Sequence, residues 1–490
     1  MRGFSLHSSA ESDPLKRTTQ KNDPFTPEVA FANIVSRIMA FASDFSPFFR
    51  TATTHGAVHA KAYICGLMQG ERSRKNIERR VAKVPGLDYQ GVQHFISDSP
   101  WSADLLINEI ARQADGILGA AADSRLILDG SDFTKKGTHS VGVARQYNGN
   151  LGKIDNCQAA LFSCLSAGSH ALPVGAKLYL PKAWCEDPAR CQKAGVPEEQ
   201  RTFRTKGELA LELVQQARRQ GLRYHYTCAD GAFGANPQLL RALDDMGETF
   251  VIEVHCDQRL YQENPWPCCG PEVDGVAPPP LVKGYQPTRI DHWASSLPDT
   301  DWERVKVRDS TGGWVEVNYV SRRVWLWDGK EECARLWWAL AWQNPDEGPK
   351  ARIHHALSNA SADTPASELV KQGVHRYWIE RTFQDGKSEA GMGDYQTRGW
   401  LGWHHHIALV MLAMLFLLKE RLLHQSGTEE LPLSMGEIVF ALSLLLPQRP
   451  RDLPEVGKMI QLRRDKRLTD QRRKRQKTIR DRPPVGPLEV

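Results

Sequence analysis

Three acidic residues that are far apart in the chain stand where carboxylates could act together. Asp129 follows the apolar run RLIL and Asp230 follows YHYTCA, so we predict that each ends a strand, and glycine follows both. Glu380 lies in a segment without Gly or Pro between His375 and Asp385, which predicts a helix. Because ligands of open α/β sheets bind beyond the carboxyl ends of strands, we expect these three side chains to meet there.

Three carboxylates held close together would repel one another and raise one another's pKa. Such a cluster is tolerable when a cation is present, and a set of oxygen ligands suits Mg²⁺ or Mn²⁺. Two such ions roughly 3.5–4 Å apart can bind the attacking and the leaving oxygen of a phosphodiester. The predicted chemistry is therefore metal-assisted cleavage of a nucleic-acid backbone, with the carboxylates acting as metal ligands.

Each of the three residues also has a plain structural interpretation. An Asp–Gly pair commonly forms a turn, and Glu380 could form an ordinary surface pair with Arg376 one helical turn earlier. At roughly 100° per residue, Arg376, Glu380 and Lys387 share one helix face if the helix continues through Gly386. Asp132 competes with Asp129 for the first position, and we prefer Asp129 because the apolar run leads directly to it.

The surrounding patterns divide the chain into five regions. Helical periodicity fills the beginning, a mixed α/β pattern of strands and helices follows, and a proline-rich and strand-rich stretch interrupts that pattern before it resumes. The predicted regions are a helical N-terminal domain (1–119), the first part of an α/β core (120–255), a β-rich insertion (256–343), the second part of the core with the glutamate helix (344–425), and a C-terminal helix with a basic tail (426–490). The basic segment ERSRKNIERR fits a DNA-binding role of the first domain and a plain solvated surface equally well.

Composition limits the classes of protein that the chain can belong to. Its 490 residues are 41% hydrophobic and 25% charged, as in a globular protein, and the polar N-terminus lacks the apolar core of a signal peptide. The longest apolar run, Ile407–Leu418, predicts a buried helix rather than a membrane span. Ten scattered cysteines predict reduced thiols, and a zinc site is an unsupported alternative because its spacing matches no usual pattern; its members would be His255, Cys256, Cys268 and Cys269.

Positive charge is concentrated at the C-terminus. The segment 449–490 holds fourteen Lys or Arg and six Asp or Glu, so its net charge is +8, whereas the whole chain carries +5 and the remainder therefore −3. This tail fits a phosphate-binding arm and a solubilising tail equally well.

The order of the three acidic residues, together with Arg376-x3-Glu380-x6-Lys387 and the block DGSDFTKKGTHSVGVARQYNGNLGKIDNCQ, resembles DDE transposases of bacterial insertion sequences. One group of that family carries a Tyr-x2-Arg-x3-Glu-x6-Lys signature, of which the tyrosine is replaced here by Gly373. The resemblance implies an RNase H-like mixed sheet flanked by helices, with a β-rich insertion. It also implies two Mg²⁺ or Mn²⁺ ions held by Asp129, Asp230 and Glu380.

By the same resemblance, the substrate is double-stranded DNA, both transposon ends and target, and the protein acts as a homodimer on DNA, away from membranes. It would bind terminal inverted repeats and carry out strand cleavage and strand transfer in the bacterial cytoplasm, with the nucleoid when bound to DNA. The resemblance assigns contacts with DNA phosphates to Arg376 and Lys387. Lys135, Lys136 and Arg145 follow the first aspartate and fit either the DNA path or a plain surface.

Two alternatives remain open at this point. The first is a metal-dependent nuclease that cuts DNA without joining it. The second is a domesticated transposase that binds DNA as a regulator, although all three acidic residues are present.

Overall fold

A computed structural model describes residues 27–51, 56–69, 88–265, 286–310, 313–326, 335–348, 351–424 and 433–447, together with a few single positions. The basic tail and the basic segment ERSRKNIERR therefore lie outside the described residues. The described part is a mixed α/β structure in which one large sheet is flanked by helices, as predicted.

The helices of the first half of the chain are α1 Pro27–Phe31, α2 Ile34–Asp44, α3 Ala57–Gln69, α4 Tyr89–Ser97, α5 Ala103–Ala114, α6 Lys182–Cys185, α7 Pro188–Lys193 and α8 Lys206–Arg219. Those of the second half are α9 Gly231–Gly234, α10 Pro237–Asp245, α11 Ile290–Ser295, α12 Ala366–His375, α13 Tyr377–Ser388, α14 Trp400–Leu423 and α15 Met435–Leu445. Side-chain caps start several of them. The Ser102 hydroxyl accepts a 3.2 Å hydrogen bond from the backbone N–H of Leu105 at the start of α5, as the sequence predicts.

The strands are β1 Arg125–Thr134, β2 Ala144–Asn148, β3 Lys153–Ala167, β4 His170–Leu178, β5 Tyr226–Ala229, β6 Phe250–Glu253, β7 Arg259–Tyr261, β8 Thr288–Arg289, β9 Glu303–Ser310, β10 Gly313–Leu326, β11 Leu336–Gln343 and β12 His354–Ser358. They form one sheet in the order β2-β3-β1-β5-β6-β12-β11-β10-β7-β8, with β4 paired to β3 and β9 to β10. Strands β1, β5 and β6 are parallel to one another, and the remaining pairs are antiparallel.

The first aspartate does not end its strand, and this part of the sequence prediction is wrong. Strand β1 continues through Asp129 to Thr134 because the long antiparallel neighbour β3 pairs with it over its whole length. The parallel pairing with β5 does stop one residue before Asp129. Asp129 therefore still lies at the edge where the parallel strands end. Its place there is set by where the pairing with β5 stops, and not by the glycine that follows Asp129.

The strands of the proline-rich and strand-rich region extend the same sheet. Strand β11 pairs with β12 on one side and with β10 on the other, and β7 and β8 follow beyond β10. Four consecutive residues of β11, 339–342, are buried, so both faces of the strand are covered there. In the described residues this region is therefore continuous with the parallel strands through β12, which pairs with β6.

The apolar helix α14 forms the centre of the helical layer. It is long and apolar enough to cross a membrane by length and composition, but 89% of its most apolar window is buried inside the protein. N-terminal helices surround it: the Tyr63 hydroxyl of α3 lies 2.8 Å from a ring nitrogen of His406, and Trp101 stacks on His405 at 3.7 Å between ring centroids. Arg37 of α2 forms a 2.7 Å ion pair with Glu420. The predicted buried helix is confirmed.

Candidate active site

The candidate site lies where the parallel strands end. Asp129 and Asp230 each come directly after the last residue pair between β1 and β5. Glu253 ends β6 on the other side of β5, one residue beyond the last pair of those two strands. Neighbouring strands are about 4.8 Å apart, so these three acidic residues form a row across the sheet edge. The sequence prediction named the first two and missed Glu253.

Glu380 reaches the same edge from helix α13. The helix begins after Arg376 and continues through Gly386 to Ser388, so the predicted helix is present, with a break from α12 at Arg376. A guanidinium nitrogen (Nη2) of Arg376 lies 2.9 Å from the Oε1 atom of Glu380. The Glu380 side chain is 53% exposed, so its carboxylate lies at the rim of the site.

Arg376 connects the acidic groups. Its Nε donates a 2.9 Å hydrogen bond to Glu253, and its Nη1 lies 3.6 Å from the Oδ2 atom of Asp129. The arginine side chain is 13% exposed, so its contacts with these carboxylates are largely shielded from water. The positive charge of Arg376 compensates the negative charges of this acidic cluster. Its predicted contact with DNA phosphate stays a prediction, since the side chain is here engaged by carboxylates.

The electrostatics of Asp129 are those of a crowded acidic site. Burial raises the pKa of Asp129 to about 7, the charge of Asp230 and that of Glu380 act in the same direction, and Arg376 opposes them. Burial alone would also raise the pKa of Glu253, but His354 and Arg376 outweigh it and lower that pKa to about 2. The pKa values of the two carboxyl groups thus differ because Glu253 pairs closely with both His354 and Arg376.

An open cleft of about 740 Å³ borders the site, and its walls include Asp129, Glu380 and Lys387. Lys387 donates a 3.0 Å hydrogen bond to the side-chain oxygen of Asn150, and burial lowers its pKa. Asp132 lines the same cleft, but its carboxylate already accepts a 2.7 Å hydrogen bond from the N–H of Gly149. Asp129 also accepts a 2.6 Å backbone hydrogen bond, from the N–H of Gly130, so what distinguishes it from Asp132 is its place beside Arg376 at the sheet edge.

The carboxylate oxygens of the site are ligands that suit a divalent cation. Their arrangement in the structure does not by itself form a metal site. Among the described residues, no group of three or more His, Cys, Asp or Glu side chains is arranged closely enough to hold a metal ion. Two observations nevertheless indicate a cation site. Burial raises the pKa of Asp129, with the charges of Asp230 and Glu380 acting in the same direction, and the guanidinium of Arg376 stands between Asp129 and Glu380.

The remaining DNA-binding candidates lie away from this cleft. Lys135 is half-buried with its Nζ atom 3.3 Å from the centre of the Tyr395 ring, and burial lowers its pKa to about 7. Lys135 and the exposed Lys136 line a second cleft of about 1270 Å³, to which Lys193 and Arg398 add two further cations. Arg145 is exposed on the edge strand β2 and lines neither cleft.

The position of the replaced signature tyrosine has no room for a side chain. A Cβ atom at Gly373 would lie 2.7 Å from the ring of Trp342, which is buried. Tyr377, the aromatic residue next to Arg376, is partly exposed and lies beside Arg308, whose guanidinium carbon is 4.8 Å from its ring centre. The tryptophan of β11 thus fills the space next to residue 373.

The zinc alternative gains no support from the described residues. Cys256 is exposed and unpaired, and it belongs to no metal-binding group in the described ranges. Cys268 and Cys269 lie outside those ranges. The seven cysteines that the structure describes are all free thiols.

Comparison with known proteins identifies the family of the chain. A family model described as DDE superfamily endonuclease matches residues 44–313, a range that includes Asp129 and Asp230 and ends before Glu380. The chain is 28% identical over 319 residues to a probable transposase for insertion sequence element IS701 from Microchaete diplosiphon, covering 64% of this chain and 71% of that protein. The resemblance to insertion-sequence DDE transposases is confirmed, and the chain belongs to the DDE superfamily endonucleases.

Proposed function

We propose that the protein is a DNA transposase that binds the terminal inverted repeats of its own element, cleaves the DNA strands and joins them to a target. Asp129, Asp230 and Glu380 are the proposed catalytic residues and hold two Mg²⁺ or Mn²⁺ ions. The observation that carries the proposal is the convergence of the first two residues on one sheet edge, with Glu380 reaching it from a later helix. The family match and the similarity to a probable transposase support it.

Bound divalent ions would supply an activated water or DNA 3′-hydroxyl and would neutralise the charge that develops on the leaving oxygen. The side chains of the protein prepare the place where this happens. Asp129, whose pKa burial raises to about 7, would hold a cation in its deprotonated form. Lys387 on the cleft wall can donate hydrogen bonds to a phosphate placed beside Asp129 and Glu380.

The second cleft is the proposed path for the DNA that flanks the cleavage site. Lys135 follows Asp129 by six positions on or next to β1, about 20 Å at roughly 3.3 Å per strand residue. In B-form DNA this distance corresponds to about six nucleotides along one strand. Exposed Lys136, Lys193 and Arg398 could therefore contact phosphates that are several nucleotides away from the one being cleaved.

The wider architecture is part of the same proposal. The sheet in which antiparallel strands adjoin the parallel trio β1, β5 and β6 suits an RNase H-like core, and β7 to β11 then represent its β-rich insertion. We retain the domain limits 1–119, 120–255, 256–343, 344–425 and 426–490 with the helical first region as the DNA-recognition unit. Action as a homodimer on DNA, in the cytoplasm and with the nucleoid, also belongs to the proposal.

The test combines purified protein, Mg²⁺ and DNA that carries the inverted repeats flanking the gene. We expect nicked ends with a 3′-hydroxyl and products joined to a target plasmid. Asp129→Asn, Asp230→Asn and Glu380→Gln should each abolish both products while DNA binding is retained. Asp363→Asn removes an exposed carboxylate elsewhere and should leave both products unchanged.

Each alternative predicts a different outcome of this experiment. Cleavage without any joined product would identify a nuclease that lacks strand transfer. Binding to the repeats without cleavage, unchanged in the three variants, would identify a DNA-binding regulator. Full activity of the three variants would refute the assignment of the catalytic residues.

A further inference from the structure

A fourth acidic residue belongs to the site. Glu253 continues the row formed by Asp129 and Asp230, and its side chain is 14% exposed. Its Oε1 atom accepts the 2.9 Å hydrogen bond from the Nε of Arg376. The same guanidinium also faces Asp129 and Glu380. One arginine therefore contacts two proposed metal ligands and a third carboxylate, Glu253, that is not a proposed metal ligand.

The arginine and a divalent cation compete for the same carboxylates. A guanidinium carries a positive charge at every relevant pH and has no lone pair with which to ligate a metal. When a cation binds Asp129 and Glu380, Arg376 has to give up its contacts with both. A remaining carboxylate partner then decides where the arginine goes, because a buried charge without a partner is strongly unfavourable.

Glu253 is itself held in place from the other side. The Nδ1 atom of His354 lies 3.6 Å from the Oε2 atom of Glu253, and the His354 ring stacks on Trp342 with 5.6 Å between ring centroids and 8° between planes. Trp342 in turn fills the space beside Gly373, three residues before Arg376. A buried aromatic therefore supports the imidazole, which lies beside the carboxylate that binds the arginine.

From these contacts we propose that Glu253 is a positioning residue that holds Arg376 away from the metal-binding carboxylates. This inference rests on the proposed function, because it concerns cations bound by Asp129 and Glu380. Without Glu253 the arginine would have two carboxylate partners left, both of them proposed metal ligands, and it would close the site against the metal. Glu253 acts on metal binding through Arg376 and does not ligate the metal.

The experiment measures Mn²⁺ binding to the full-length protein without DNA, by calorimetry and by the paramagnetic resonance of free Mn²⁺. Glu253→Gln should weaken binding about 10-fold, the lower end of the effect expected from residues that orient metal ligands. Removal of the competing arginine in the Glu253→Gln/Arg376→Gln double variant should restore it to within about 2-fold of the unmodified protein, the usual scatter of such contributions. Glu368→Gln, which changes another partly buried carboxylate, is the matched control and should bind Mn²⁺ normally.

The outcomes separate the inference from the function on which it rests. If the unmodified protein binds no Mn²⁺, the metal-dependent function fails. If it binds Mn²⁺ and Glu253→Gln matches the control, the positioning role is refuted. If the double variant still binds Mn²⁺ weakly, Glu253 is a direct metal ligand and the inference is overturned. If Glu253→Gln does not fold, Arg376→Gln alone must bind Mn²⁺ at least as tightly as the unmodified protein, and weaker binding contradicts the competition.

Discussion

Replacing Asp129 by asparagine should stabilise the protein when neither DNA nor metal is bound. The carboxylate is buried beside Asp230 and Glu380, and its pKa is about 7 even though Arg376 attracts the charged form. The raised pKa is the net result of these influences, so ionisation of this group opposes folding. Asparagine has nearly the same shape and carries no charge, so the substitution removes this unfavourable ionisation together with a proposed metal ligand.

The size of the effect follows from the two pKa values. The pKa rises from an ordinary 3.8 to about 7 in the folded protein. At about 1.36 kcal/mol per pKa unit, this difference of about 3 units corresponds to at most about 4 kcal/mol. Between about pH 4 and pH 7 the folded state binds more protons than the unfolded state, so stability falls as the pH rises. The full stability is present below about pH 4, and the loss is complete above about pH 7.

The assay is thermal unfolding in the presence of a chelator at pH 4.5, 6 and 8, monitored by tryptophan fluorescence and calorimetry. We expect Asp129→Asn to unfold several degrees above the unmodified protein at pH 8, by a smaller margin at pH 6, and with little difference at pH 4.5. Asp363→Asn changes an exposed carboxylate and serves as the control. Excess Mg²⁺ should raise the midpoint of the unmodified protein at pH 8 and leave that of Asp129→Asn unchanged.

Equal midpoints at pH 8, or a lower midpoint for Asp129→Asn, would refute the electrostatic reasoning. A stabilisation that is the same at all three pH values would point to packing rather than charge. Either result would also weaken the case for a cation site at this sheet edge, because the same uncompensated charge is what a divalent ion would neutralise.

Three further changes test other parts of the structure. Lys136→Gln should reduce the slope of log binding constant against log salt by about 0.9 in titrations of a duplex, if the lysine contacts one phosphate. Gly373→Tyr should lower the free energy of unfolding by more than about 2 kcal/mol, because the new side chain meets Trp342, and Trp342→Gly in the same chain should recover part of the loss in denaturant titrations. Ser102→Ala should cost about 1 kcal/mol in the same titrations, since it removes the N-cap of α5.

Local patterns were sufficient for much of the fold. The cap at Ser102, the helix after Asn236 and the buried helix α14 are fixed by residues that are close together in sequence. For strand β12, which His354 begins, the sequence predicted only that the α/β core continues there. Its position in the sheet could not be predicted, because its neighbours β6 and β11 come from distant parts of the chain. The same limit explains why β1 was predicted to end at Asp129.

In the candidate site, too, local sequence patterns predicted some residues and long-range contacts determine the others. Asp129 and Asp230 could be found because each follows an apolar run in the sequence. Glu253 carries a similar signal, as an acidic residue within FVIEVH, but its importance depends on the register between β5 and β6. The contacts of Arg376 with Asp129 and Glu253 join positions more than 100 residues apart, and no spacing within one helix can reveal them.

The central position of α14 has a consequence for incomplete forms of the protein. Its side chains contact helices from the beginning of the chain, among them the pairs Tyr63–His406 and Arg37–Glu420. A product that stops before Trp400 would leave the apolar faces of those early helices exposed to water. Such fragments should aggregate or be degraded instead of occupying the ends of the element, so premature termination is expected to remove the protein without creating an inhibitor of the intact copies.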